Sequence, residues 1–176
     1  DDYPESPREW SNLGYFITKD RNYNSPDKHE ELQELIEECG ESANSQEEHI
    51  KMIEINWNKT MHPENKILAI YPITKYEHSG ISYSLGSRKG FDCSNNGFYI
   101  ITEKSQKEMG EEKKDWEKII RQELENYNKY INGEVYGYIL YDEKGEHEES
   151  CSGFYDIEDI RENLREEWNK EDLQEY

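Results

Sequence analysis

In 176 residues the chain carries 41 acidic against 21 basic side chains, a formal net charge of -20, with 32% hydrophobic but 12% aromatic residues. That length suits one domain with a real core, so residues 1–176 are read as a single domain. No apolar run approaches the ~20 residues of a membrane span, and a field of this sign repels nucleic acid and anionic membranes while attracting basic protein surfaces.

The charge is uneven. Residues 1–26 hold five acids and three bases, 27–54 ten and two, 55–141 twelve of each, and 142–176 fourteen and four. Two blocks therefore carry nearly all of the excess. Cys39, Cys93 and Cys151 show no CxxC or comparable metal spacing, which points to free thiols in a reducing, cytoplasmic setting.

In chain order, two prolines and turn residues make 1–12 a loop, and Leu-Gly-Tyr-Phe-Ile-Thr at 13–18 reads as a first strand. Ser25 as N-cap and Pro26 at the first helical position predict a helix closed by Gly40. Its apolar face is Leu32, Leu35, Ile36 and Cys39, and its outer face is Glu30, Glu31, Glu34, Glu37 and Glu38. Ser45 and Glu48 form a capping box for a second helix to about Lys59, although alternating isoleucines over 52–57 also suit a strand. The stretch 67–101 holds three β-rich runs separated by glycine-containing turns, the centre of an antiparallel sheet. A helix over 111–131 carries the stripe Trp116, Ile119, Ile120, Leu124, Tyr127 and Ile131, stopped by Asn132-Gly133. The strand 135–141 turns through 142–145 and returns over 147–151 as a polar edge. Asp156 caps a last helix whose core face is Ile157, Ile160, Leu164 and Trp168.

Candidate chemistry is sparse. His78, Asp92 and Cys93 have the identities of a base, an orienting acid and a thiol nucleophile, and they meet only if their two loops share one end of the sheet. Cys93, Cys151, His78 and His147 lack zinc-ligand spacing. Asp1, Asp2 and Glu5 lack the rest of a calcium loop. Gly86, Gly90 and Gly97 form no phosphate-cradling pattern. No metal and no cofactor is expected. Lys104, Lys107, Lys113, Lys114, Lys118 and Arg121 alternate with glutamates, as a solvated helix face does.

Three stretches are recognisable together: Glu5-Ser6-Pro7-Arg8 before Asn12-Leu13-Gly14; His78-Ser79-Gly80-Ile81; and Gly133-Glu134-Val135-Tyr136-Gly137-Tyr138 with Cys151-Ser152-Gly153-Phe154-Tyr155. They resemble a family of small proteins carried by phages, prophages and other mobile elements. The resemblance covers nearly the whole chain and implies a mobile-element setting rather than a catalytic chemistry. Where such relatives tend to place Cys and His before an Arg-Tyr pair, this chain has Ile17-Thr18-Lys19-Asp20-Arg21-Asn22-Tyr23, which argues against a metal role for that loop here.

The expected architecture is a single α+β domain with an antiparallel sheet of about five strands and helices mainly on one face. The expected function is phage-type counter-defence, of the anti-CRISPR or anti-restriction kind, by a non-enzymatic protein in the host cytoplasm. Its partner would be a basic, nucleic-acid-binding host protein, a CRISPR or restriction effector, whose groove an array of carboxylates can occupy in place of a phosphate backbone. The residues expected to carry this are Glu30, Glu34 and Glu38 in the first block and Glu146, Glu148, Glu149, Glu158, Asp159, Glu162, Glu166 and Glu167 in the second. Two alternatives stand beside it: a small enzyme using His78 and Cys93 on a nucleotide signal, and an acidic structural or replication accessory protein.

Overall fold

Isoleucine, tyrosine and phenylalanine concentrate where the chain forms its main sheet. In the computed structural model, which describes residues 4–20 and 24–164, the strands are β1 (Tyr15–Thr18), β2 (Ile67–Glu77), β3 (Ile81–Leu85) and β4 (Cys93–Thr102). They are all antiparallel in the order β1-β4-β2-β3. Ile100 of β4 lies opposite Tyr15 on one side and Ile70 on the other.

The helices do not gather on one face as the sequence suggested. Successive strand residues point to opposite sides of a sheet, and here both sides are apolar. Ile17, Ile67, Phe98 and Ile100 pack with Leu32, Leu35, Ile36 and Cys39 of α1 (Glu30–Ser42) and with Ile53 of α2 (Gln46–Asn56). Phe16, Ile73, Tyr83, Tyr99 and Ile101 pack with Trp116, Ile120 and Leu124 of α4 (Trp116–Ile131). Two cores thus share one sheet, and the described residues build a single domain. A bulge between Ile67 and Ala69 leaves Leu68 40% exposed and switches the parity, so that Ile67 and Ile70 reach the same core.

The sheet also has four strands rather than five. β5 (Tyr136–Tyr141) and β6 (His147–Phe154) pair only with each other, in a separate two-stranded sheet. The outer edge of β3 is occupied instead by α4. Tyr83 donates its N–H to Asn128 Oδ1 (2.7 Å) and accepts from Asn128 Nδ2 (2.9 Å), and Asn132 Nδ2 donates to the Ile81 carbonyl (2.7 Å). Two asparagine amides one helical turn apart imitate a neighbouring strand, which blunts the edge.

Local signals mostly hold. Asp156 caps α5 (Ile157–Asn163), which buries Ile160, with Leu164 buried just beyond it, while Trp168 lies outside the described residues. Residues 46–56 are helical, not a strand, and end in a π turn, Trp57–Met61. The long helix begins at Trp116, and the run before it forms a separate α3 (Glu103–Met109), started by a Thr102–Ser105 capping box and ended by Gly110. Ser25 does not cap α1. Its Oγ accepts the Thr18 N–H (3.1 Å) and Asp27 N–H donates to the Phe16 carbonyl (3.0 Å), which lays this segment along β1. The helix starts later, capped by His29, and runs past Gly40, where a Cβ would press within 3.0 Å of the His49 ring.

Leu124 is 2% exposed in the α4 core, so Leu124→Ala should cost about 2–5 kcal/mol through lost contacts and a cavity. Ile139, on β5 and 57% exposed, should stay within about 0.5 kcal/mol when cut to alanine. Urea unfolding of the two variants beside the parent checks the contrast.

Candidate functional site

Burial of Leu32, Leu35, Ile36 and Cys39 fixes which side of α1 meets the core, and therefore which side meets water. On the water side stand Glu30, Glu31, Glu34, Glu37, Glu38 and Glu41, all exposed. At ~1.5 Å rise per residue these carboxylates come about once per 3 Å of axis, close to the ~3.4 Å phosphate interval of one DNA strand. Glu31 faces His62, and Glu37 lies 3.7 Å from Lys19. Among the described residues Glu30, Glu34, Glu38 and Glu41 meet no cation, and α1 has no basic residue in its last turn.

The second acidic block does not extend this row. Glu146, Glu148 and Glu149 lie at the hairpin, where Glu149 accepts the Tyr138 hydroxyl (2.9 Å). Glu158, Asp159 and Glu162 are exposed on α5, where Glu158 pairs with Arg161. α5 packs on β5 and β6, whereas α1 packs on α2 and β1, so the two blocks belong to different parts of the fold. Glu166 and Glu167 lie outside the described residues.

The two loops that carry His78, Asp92 and Cys93 do share one end of the sheet. Tyr76 lies opposite Cys93, Glu77 N–H donates to the Asp92 carbonyl (2.9 Å), and His78 Nδ1 stands 3.5 Å from Asp92 Oδ2. His78 is 69% and Asp92 44% exposed at the side chain, so water screens the pair. Cys93 Sγ faces Gly90, 3.3 Å from where a Cβ would stand there. Among the described residues, no group of three or more His, Cys, Asp or Glu could hold a metal ion, and no helix is long and apolar enough to cross a membrane. Residues 21–23 of the metal-loop comparison lie outside the described residues.

Sequence patterning missed the densest polar constellation among the described residues. Arg8, whose side chain is 3% exposed, follows the short helical turn Pro7–Glu9 into the space between β1, β4 and α4. Its Nε and Nη2 bind Asp27 Oδ1 (2.9 Å) and Oδ2 (2.6 Å), Nη1 binds Asn12 Oδ1 (3.0 Å) and Glu123 Oε2 (2.8 Å), and Nη2 also reaches the Gly14 carbonyl (2.9 Å). All five guanidinium donors are satisfied. Glu123 further accepts the Leu13 N–H (2.9 Å) and the Tyr99 hydroxyl, which itself accepts the Gly14 N–H (2.9 Å). Burial opposes the Arg8 charge, but the Asp27 bonds and the nearby Asp27 and Glu123 charges outweigh it and hold the guanidinium above its ordinary pKa. Burial, then Glu123, pushes the Tyr99 phenol far up. An open groove of about 620 Å³ lies alongside, lined by Arg8, Trp10, Asn12, Tyr15, Asp27 and Met109 among others. Because the guanidinium is saturated, that groove offers an anion nothing from Arg8.

Comparison with protein-family models, curated proteins and solved structures finds no match for this chain.

Arg8→Ala would leave two nearly buried carboxylates, Asp27 and Glu123, facing each other without a cation. Removing one partner of such a buried pair typically costs about 3–5 kcal/mol. Thermal unfolding near neutral pH should show a loss at least as large as that of Leu124→Ala.

Proposed function

We propose that this protein is a non-enzymatic counter-defence protein whose carboxylates on α1 occupy a basic, nucleic-acid-binding groove of a host protein. The observation that carries the reading is that α1 breaks the rules its neighbours follow. Glu47–Lys51 on α2 (2.9 Å), Glu117–Arg121 (4.0 Å) and Glu125–Lys129 (3.5 Å) on α4 are opposite charges four residues apart. On α1 the same spacing pairs like with like, Glu30 with Glu34, Glu34 with Glu38, and Glu37 with Glu41. Each such pair costs a few tenths of a kcal/mol, and acids in the last turn oppose the helix dipole. Solubility alone needs no such arrangement. A surface that departs from local stability rules, with the cost offset elsewhere in the fold, is where function is expected.

The resemblance to small mobile-element proteins supplies the setting, since such elements must disarm effectors whose grooves are lined by Lys and Arg. The second acidic block widens the field that draws a basic partner in, acting on association rate more than on contact energy.

The test is protection. Bacteria with an active CRISPR or restriction effector, expressing this chain, should yield more plaques from a targeted phage than cells without it. Changing Glu30, Glu34 and Glu38 to lysine should abolish protection while leaving thermal stability within about 0.5 kcal/mol per site. Competition for the effector's DNA in vitro should weaken most at low salt, where surface charge is least screened. Equal protection by parent and charge-reversed chain, or none by either, overturns the proposal. His78→Ala with Cys93→Ser in the same assay tests the enzyme alternative, for which protection must vanish.

A further inference from the structure

Two histidines lie against Trp57, and they need different protonation states. Trp57 is 2% exposed, and its indole N–H is fixed on the Asn65 carbonyl (2.7 Å). The His62 ring lies 4.3 Å from the indole, tilted by 37°, and that of His29 lies 5.9 Å away at a steeper 66°.

The hydrogen bonds set the protons. His62 Nδ1 stands 3.0 Å from Glu64 Oε1 and its Nε2 3.1 Å from Glu31 Oε2. Carboxylates only accept, and a neutral imidazole has one N–H to donate, so satisfying both requires the imidazolium. His29 is the opposite case. As N-cap of α1 its Nδ1 accepts the Leu32 N–H (3.4 Å), which requires a bare nitrogen.

We propose that this pair makes the first turn of α1 proton-sensitive in both directions. The turn is held when His29 is neutral and His62 is charged. Protonating His29 removes the cap at Leu32; deprotonating His62 leaves one of its nitrogens facing a carboxylate lone pair. The Glu64 bond spans two residues and the Glu31 bond spans thirty-one, so the neutral ring keeps the local bond and releases Glu31. The charges around the pair are Glu31 on α1, Glu64 on the turn after the π segment, Asp27 ahead of α1, and the two rings themselves. The Glu64 hydrogen bond, against some burial and with help from Glu31, raises the His62 pKa. Burial, aided by the His62 charge, lowers that of His29. His62 therefore stabilises the fold fully below its ordinary ~6.5 and loses that contribution as pH rises through its raised native value. His29 contributes fully above ~6.5, and its contribution is lost as pH falls through its lowered native value. Given the proposed role of α1, the window also governs how rigidly the N-terminal end of the acidic row is presented and whether Glu31 joins it.

Ring resonances followed by NMR across a pH titration of the whole chain test this without any partner. The expected result is a His29 midpoint below ~6.5 and a His62 midpoint above it, with the Leu32 amide following the first and the Glu31 side chain the second. His62→Gln should raise the His29 midpoint by removing a neighbouring positive charge, and Glu31→Gln should lower that of His62. Coincident midpoints in the parent, or a His29 midpoint indifferent to His62→Gln, overturn the proposal. Neither result touches the plaque assay, and a chain that fails to protect bacteria leaves this titration intact.

Discussion

The constraint on which the rest depends is the buried Arg8 guanidinium. It binds Asp27, Glu123 and the Gly14 carbonyl together, and it joins three segments distant in sequence. Through Asp27, whose Oδ2 also accepts the Phe16 N–H (2.6 Å), it fixes where the chain leaves β1 for α1. Through Glu123 it fixes α4 against the same strand's entrance. Gly14 sits between these contacts with no room for a side chain, since a Cβ there would fall 2.4 Å from the Ile100 carbonyl oxygen. One cation with two anions thus ties β1 and the chain leading to α1 on one side to α4 on the other.

This explains what the sequence discloses and what it conceals. Elements driven by burial were legible. The run Phe98, Tyr99, Ile100 and Ile101 announces a strand, though not that both its faces are covered, and the Trp116, Ile120 and Leu124 stripe announces the helix that covers one of them. The start of α1 departs from its local signal because Ser25 and Pro26 are a sound cap signal overridden by tertiary partners: the serine hydroxyl serves Thr18, seven residues back, and Asp27 serves Arg8, nineteen back. Neither pair has a periodic signature that would mark it in the sequence. The motif Glu5-Ser6-Pro7-Arg8 was visible as a motif, but the pairing of Arg8 with Glu123 spans 115 residues and carries no periodic signature.

The fifth strand failed for a related reason. Val135 to Tyr141 has every mark of a sheet strand, yet an edge was needed to receive it. At β3 that edge is already bonded by Asn128 and Asn132, residues that read as a helix and its stop. The hairpin therefore stands apart and leaves Ile139 and Tyr141 exposed, 57% and 62%. The acidic candidates divide along the same line. Those on α1 ride on a helix pinned to the central sheet, and those at 146–162 ride on the hairpin and α5.

A row of glutamates along a helix, most of them without a cation among the described residues, has to be offset somewhere, and α1 shows where. Its inner face places four residues at 4% exposure or less in the core; at roughly 25 cal/mol per Å² that burial far exceeds the few tenths lost at each like-charge pair. Its first turn has the His29 cap and the Glu31–His62 bond. Its last turn, with no cation, closes on a backbone bond from Ala43 to the Cys39 carbonyl (3.1 Å). The acidic face is consequently carried on a helix held by its core and bonded at both ends. For the proposed imitation of a polyanion such support matters, because carboxylates held at fixed intervals would pay little ordering entropy on binding, whereas the same charges on a disordered tail would give most of that gain back.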